Sequence, residues 1–130
     1  MKILVAYDGS KSAKEALRIA AQRAGAFKGG ILLVHSMVGG PEIPRKEFED
    51  AERELQRQEV ILKGDGLVCE TLLSVRGLEA GEDIVRTADE KKADEIIIGL
   101  QRKSKVGKLL FGSTAQYVIL NAPCPVVTIR

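Results

Sequence analysis

Five short apolar runs alternate along the chain with longer segments of helical periodicity. Continuous apolar runs of four to six residues are typical of strands that are covered on both faces, as in parallel sheets. The third run keeps a partial alternation of apolar and polar positions, which also favours a strand. We predict strands over residues 3–6, 31–37, 67–75, 95–99 and 125–130.

The segments between these strands carry apolar positions three and four residues apart, with charged residues on the other side. Ser10 and Ser12 compete as the N-cap of the first helix, because Ser12 with Glu15 fits a capping box. A glycine at 25, 29 or 30 is expected to end it. Three further helices are predicted, over residues 45–63, 82–91 and 113–120.

The predicted order is therefore β-α-β-α-β-α-β-α-β. Strands joined through helices need crossover connections, and these build a parallel, doubly wound sheet with helices on both faces. No linker, repeat or low-complexity stretch interrupts the pattern. We predict one three-layer α/β domain over residues 1–130, with five parallel strands and four helices.

Composition narrows the function classes. The 130 residues are 45% hydrophobic and 29% charged, as expected of a folded globule rather than a disordered chain. Aromatic residues make up 4% and the net charge is +2, which argues against a nucleic-acid partner. No apolar run approaches the ~20 residues of a membrane span, so no membrane partner is expected.

The N-terminus and the cysteines indicate the compartment. Met1 leads directly into an apolar strand without the architecture of a signal peptide. Cys69 and Cys124 form neither a CxxC pair nor a metal-ligand spacing. The sequence predicts a reduced, cytoplasmic protein.

A candidate ligand site lies where strands 1 and 4 end. Open α/β sheets bind ligands at the carboxyl ends of their strands, where the strand order reverses. The turn at residues 7–10 and the loop at 99–113 would meet there. The loop carries four cations and no acid, and it opens a helix at Gly112-Ser113. A helix start with hydroxyls and nearby cations suits a phosphate.

The loop has two other interpretations. Gly112-Ser113 is equally compatible with a plain helix cap beside a solvated basic surface, so the residues alone leave phosphate binding open. A P-loop is excluded, because Arg102 stands where its first glycine belongs and Leu109 where a Ser or Thr should follow the lysine.

The chain resembles the universal stress protein family over essentially its whole length. Each matching piece is short, and their order and spacing carry the resemblance. The pieces are residues 2–10, 32–35, 77–88, 93–99, 112–118 and 121–126. The resemblance implies a Rossmann-like sheet of the adenine nucleotide alpha hydrolase type and binding of ATP with Mg²⁺.

Nucleotide-binding members of that family carry Gly, two residues, Gly, nine residues, and then Gly with Ser or Thr. Gly99 and Gly112-Ser113 fit the first and last positions, whereas Arg102 replaces the middle glycine. A Cβ at that position crowds the phosphates if the backbone needs a positive φ. An arginine there is alternatively a forked donor to phosphate oxygens.

The resemblance assigns roles to particular residues. Ala6, Tyr7 and Asp8 would border the adenine and the ribose, with Ser36 contributing from the end of the second strand. Asp8 would also help to hold a divalent cation, and its alternative role is a turn or cap leading into the first helix. The phosphates would be cradled by Gly99, Arg102, Gly112, Ser113 and Thr114.

The resemblance also implies a homodimer through the C-terminal strand. Pairing with a second copy would cover the open edge of that strand. No general base, activated nucleophile or metal cluster is recognisable in the sequence, so we expect at most slow ATP hydrolysis. The sequence predicts a stress-response regulator that binds ATP, and the alternative is a dimeric interaction module that binds no nucleotide.

Overall fold

The computed structural model describes residues 1–100 and 112–130. Its elements are β1 Lys2–Ala6, α1 Lys11–Phe27, β2 Gly30–Met37, α2 Arg45–Gly64, β3 Val68–Val75, α3 Ala80–Glu90, β4 Glu95–Gly99, α4 Ser113–Asn121 and β5 Val126–Ile129. All neighbouring strands pair in parallel, in the order β3-β2-β1-β4-β5. The predicted fold class, a five-stranded, doubly wound, Rossmann-like α/β sheet, is confirmed.

The strand order reverses between β1 and β4. β2 and β3 lie on one side of β1. The chain then crosses to the other side of β1, where β4 and β5 lie. Val5 pairs with Leu33 on one side and with Ile97 on the other. The carboxyl ends of β1 and β4 therefore lie side by side, as the sequence predicts for a ligand site.

Two apolar layers hold the helices on the sheet. Alternate residues of β1 point to opposite faces, so Ile3 and Val5 pack in the layer with α1 and α2. Leu4 packs in the other layer, with α3 and α4. All three side chains have no exposed surface, in keeping with an apolar run covered on both faces.

The ends of α1 differ in detail from the prediction. Ser10 is the N-cap, because its Oγ accepts a hydrogen bond from the Ala13 N–H at 3.2 Å. The capping box of Ser12 with Glu15 does not form, and Glu15 pairs instead with Arg18. The helix passes through Gly25 and ends at Lys28, which takes the left-handed conformation with φ 53°.

No helix within residues 1–100 and 112–130 is long and apolar enough to cross a membrane.

Candidate functional site

A cleft opens at the carboxyl ends of β1 and β4, between the first turns of α3 and α4. Eight of the nine residues predicted for the site line this cleft, and Arg102 lies outside the described residues. The eight are Ala6, Tyr7, Asp8, Ser36, Gly99, Gly112, Ser113 and Thr114. The structure thus brings together residues that are up to 108 positions apart in the chain (6 to 114).

The start of α4 presents backbone donors to the cleft. Gly112 is the N-cap, and no side chain of the described residues caps this end of the helix. The first bond across a full turn runs from the Gln116 N–H to the Gly112 carbonyl, at 3.1 Å. The amides that precede Gln116 in α4 belong to the helix start, where N–H groups and the positive end of the dipole attract anions.

Gly112 itself has an ordinary backbone conformation, with φ −63° and ψ 157°. A Cβ added there would meet no atom of the described residues within 4 Å. The rest of the described chain therefore gives no steric reason for a glycine at this position. A phosphate resting against the helix start would give one, because only a bare backbone allows close approach.

Asp8 organises the turn after β1. Its Oδ1 accepts a hydrogen bond from the Ser10 N–H at 2.9 Å, which forms an Asx-turn into α1. The predicted turn role is thus observed, and the exposed carboxylate still faces the cleft. The described residues hold no cluster of three or more His, Cys, Asp or Glu side chains arranged for a metal.

Gly99 has a packing role that the sequence analysis missed. A Cβ on Gly99 would lie 2.5 Å from both the carbonyl carbon and the oxygen of Ser12, in the first turn of α1. The absence of a side chain lets α1 begin directly against the end of β4. This close approach explains the glycine without any ligand.

Tyr7, which lines the cleft, packs its ring on the α1–α2 side of the sheet. It packs in the apolar layer there, 3% exposed, and its hydroxyl donates to Glu54 Oε2 at 2.6 Å. Burial and this carboxylate raise the pKa of Tyr7. The Arg57 hydrogen bond, with those from Tyr7 and Gln58, lowers the pKa of Glu54 to about 2. The hydrogen bond between Tyr7 and Glu54 therefore links the end of β1 to α2.

We expect Tyr7→Phe to lower the free energy of unfolding by about 1–2 kcal/mol at pH 7, because a charge-assisted hydrogen bond is lost. A carboxyl whose folded pKa is depressed stabilises the fold above its unfolded pKa, ~4.3, and loses that effect as pH falls through the folded value. With Glu54 near 2, the difference between wild type and variant should shrink from pH 5 to pH 2. Urea titrations at several pH values measure it.

Glu54→Gln supplies the control for that measurement. In this background the Tyr7→Phe difference should no longer depend on pH between 2 and 5, since no carboxylate remains to titrate. A wild-type difference that stays constant over the same pH range would contradict the assignment.

A buried carboxylate beside the cleft was not predicted. Asp83 in α3 is 0% exposed and accepts three hydrogen bonds, from Ser36 Oγ at 2.5 Å, Ser74 Oγ at 3.0 Å and Arg76 Nε at 2.7 Å. Burial raises the pKa of Asp83, but the three donors outweigh it and hold the pKa below its usual value. The sequence signal for this burial was the position of Asp83 in the helix, next to the inward-facing Ile84.

His35 forms part of the cleft wall near the end of β2. Burial lowers the pKa of His35, and the negative charge of Asp8 partly opposes that effect. The imidazole is therefore neutral at physiological pH.

Comparison with known proteins identifies the family. The sequence profile of the Universal stress protein family matches residues 1–130. A Thermus aquaticus protein, "Universal stress protein in QAH/OAS sulfhydrylase 3'region", is 37% identical, covering 98% of this chain and 97% of its own. The structure of a universal stress protein from Archaeoglobus fulgidus is 40% identical with a TM-score of 0.90, over 100% of this chain and 98% of that one.

A second Archaeoglobus fulgidus structure, of the universal stress protein in complex with dAMP, is 37% identical with a TM-score of 0.84 over the same shares of the two chains. These likenesses extend over the sheet and all four helices. The chain belongs to the universal stress protein family.

Proposed function

We propose that this protein is a cytoplasmic stress-response regulator that binds an adenine nucleotide, ATP, in the cleft between β1 and β4. Its output is a change of conformation or partner surface on nucleotide occupancy, with slow hydrolysis at most. The observation that carries the proposal is the start of α4, where Gly112 and the amides of the first turn, which no described side chain caps, lie at the cleft. The 37% identical relative whose structure contains dAMP supports it.

The phosphates would lie against the first turn of α4. Ser113 and Thr114 offer backbone N–H groups and hydroxyls, both of which donate to phosphate oxygens. Gly112 leaves the space open that a side chain would fill. Arg102, the residue that replaces a motif glycine, belongs to the cationic loop that precedes this turn.

The base and the ribose would occupy the deeper part of the cleft. Its wall is apolar where Val34, Ile84 and Ile98 come together from two strands and α3. A flat purine ring is well matched to such a surface, with a few polar groups fixing its orientation. Ser36 and Asp8 are the polar groups on this side.

Asp8 would share a Mg²⁺ ion with the phosphates. Mg²⁺ prefers oxygen ligands, keeps several waters and is commonly held by one or two carboxylates together with substrate phosphates. One exposed carboxylate at the cleft mouth meets that need without a protein cage. The ion would neutralise phosphate charge.

Release of bound ligand tests the proposal directly. The purified protein is denatured, the released small molecules are identified by mass spectrometry, and the refolded or stripped protein is titrated with Mg-ATP by calorimetry. We expect an adenine nucleotide in the released fraction or a one-to-one titration at micromolar affinity. Neither release nor binding at millimolar Mg-ATP would contradict the proposal and favour the interaction module that binds no nucleotide.

We also propose a homodimer through β5. This strand is at one edge of the sheet. The Pro125 and Ile129 carbonyls accept bonds from Ile96 and Leu100 in and after β4, at 3.0 and 2.6 Å. Because backbone groups of a parallel strand alternate in direction, those of Val126 and Thr128 point to the open edge, where a second β5 would pair with them.

Thr128→Pro is expected to convert the dimer into a monomer. Proline removes the outward N–H of Thr128 and leaves the bonds to β4 in place. Sedimentation equilibrium at micromolar concentration should give a dimer for wild type and a monomer for the variant, with unchanged circular dichroism. A wild-type protein that is monomeric at this concentration would contradict the proposed dimer.

A further inference from the structure

The buried carboxylate of Asp83 reaches the cleft through Ser36. Asp83 Oδ1 accepts from two donors at the end of β3, Ser74 Oγ and Arg76 Nε. Among residues 1–100 and 112–130, Asp83 Oδ2 accepts from Ser36 Oγ alone. Ser36 lines the cleft, whereas Ser74 and Arg76 are not among its lining residues. Oδ1 therefore binds residues that do not line the cleft, and Oδ2 binds a residue that does.

This arrangement fixes the direction of the Ser36 hydroxyl. An ionised carboxylate is an acceptor only, so the proton of Ser36 Oγ must point at Asp83. The Arg76 guanidinium, at 2.7 Å from Asp83, keeps that charge in place. Toward a ligand, Ser36 Oγ can then offer only its lone pairs. Ser36 is thus held as a hydrogen-bond acceptor in the cleft wall.

We propose that Asp83, acting through Ser36, makes the site selective for a purine that carries an exocyclic amino group over one that carries a keto group at the same position. The inference rests on the proposed nucleotide function and adds a residue that sets base specificity. An amino N–H donates a hydrogen bond to a lone pair of Ser36 Oγ. A keto oxygen is an acceptor, so it cannot form a hydrogen bond with that lone pair. A buried polar group left unpaired in this way weakens binding strongly.

The donor in question is the amino group rather than a ribose hydroxyl. A hydroxyl donates or accepts by rotating, so it would bind to Ser36 whichever way the serine proton points. An amino group and a keto group have fixed polarity. The difference between these two groups therefore makes binding depend on Asp83.

Asp83→Asn reverses the polarity with almost no change of shape. The amide oxygen, placed as Oδ1 is now, still accepts from Ser74 and Arg76. The amide nitrogen then takes the place of Oδ2 and donates to Ser36 Oγ. The serine proton is released toward the cleft, where it meets a keto oxygen favourably.

The experiment is a set of calorimetric titrations with AMP, IMP and 2′-deoxy-AMP. Wild type should bind AMP about tenfold or more tightly than IMP, the ratio expected from one unsatisfied polar group. The ratio should fall to about twofold or less in Asp83→Asn and in Ser36→Ala. The 2′-deoxy-AMP affinity relative to AMP should be the same in all variants.

Ser74→Ala is the matched control. It removes a donor from the same carboxylate but leaves Ser36 and the cleft wall in place. Its stability should fall while the AMP-to-IMP ratio stays at the wild-type value. Thermal unfolding of each variant separates loss of folding from loss of specificity, and if Asp83→Asn does not fold, Ser36→Ala decides alone.

Two failures are distinguishable. A wild-type ratio retained by folded Asp83→Asn or by Ser36→Ala would overturn the role of Asp83 while leaving nucleotide binding intact. The role of Asp83 would also be overturned if the variants changed the affinity for 2′-deoxy-AMP relative to AMP instead of the affinity for IMP relative to AMP. Binding of none of the three nucleotides to wild type would overturn the proposed function, and this inference with it.

Discussion

Gly112→Val is expected to weaken nucleotide binding by about 100-fold or more. The branched side chain would occupy the space beside the start of α4 that we assign to the phosphates. Losing two charge-assisted hydrogen bonds at about 1.5–3 kcal/mol each corresponds to at least that factor. The fold should survive, because the backbone of Gly112 suits any residue and no described atom lies within 4 Å of the added Cβ. Calorimetry with Mg-ATP measures the loss.

Gly25→Val is the matched control for this substitution. Gly25 is an exposed glycine of α1, away from the cleft, and its added Cβ also meets nothing among the described residues within 4 Å. Its stability should stay the same or rise by up to about 0.5 kcal/mol, since valine is a slightly better helix former than glycine, and its affinity should stay at the wild-type value. A folded Gly112→Val protein with wild-type affinity would remove the start of α4 from the binding site.

Gly99→Ala is expected to lower the free energy of unfolding by about 3 kcal/mol, at the upper end of the usual cost of overpacking. The added Cβ would lie 2.5 Å from the Ser12 carbonyl carbon and oxygen, and backbone atoms cannot rotate away. The first turn of α1 must therefore shift away from β4. Urea denaturation followed by circular dichroism measures the change.

Gly64→Ala tests the same substitution without the contact. Gly64 ends α2, is exposed, and has no described atom within 4 Å of an added Cβ. Its stability should stay the same or rise by up to about 1 kcal/mol, since alanine favours the helix. Equal stability of Gly99→Ala and wild type would contradict the close approach of α1 to β4.

The fold was predictable because its strands and helices differ clearly in periodicity. Apolar runs such as 31–34 and 96–98 are buried on both faces of the sheet, as a parallel arrangement requires. The ends of α1 were harder to predict. Two serines were both adequate caps, and a lysine rather than a glycine took the left-handed position that ends the helix.

The position of the cleft was also predictable, because the strand order alone brings the ends of β1 and β4 together. The directions of the side chains there were not. The Tyr7 hydroxyl reaches Glu54 on the α1–α2 side of the sheet, and Gly99 is required by the close approach of α1 to β4. The three donors around Asp83 come from β2, from β3 and from the residue that follows β3, and no local pattern links them.

We propose that the turn after β1 and the start of α4 together bind an adenine nucleotide. Titration of ¹⁵N-labelled protein with Mg-ATP, followed by amide chemical shifts, tests it most directly. We expect the largest shifts at Asp8, Gly112, Ser113 and Thr114, with residues at the outer edge of β3 unaffected. Unchanged amides at those four positions at millimolar Mg-ATP, or shifts confined to another surface, would contradict it.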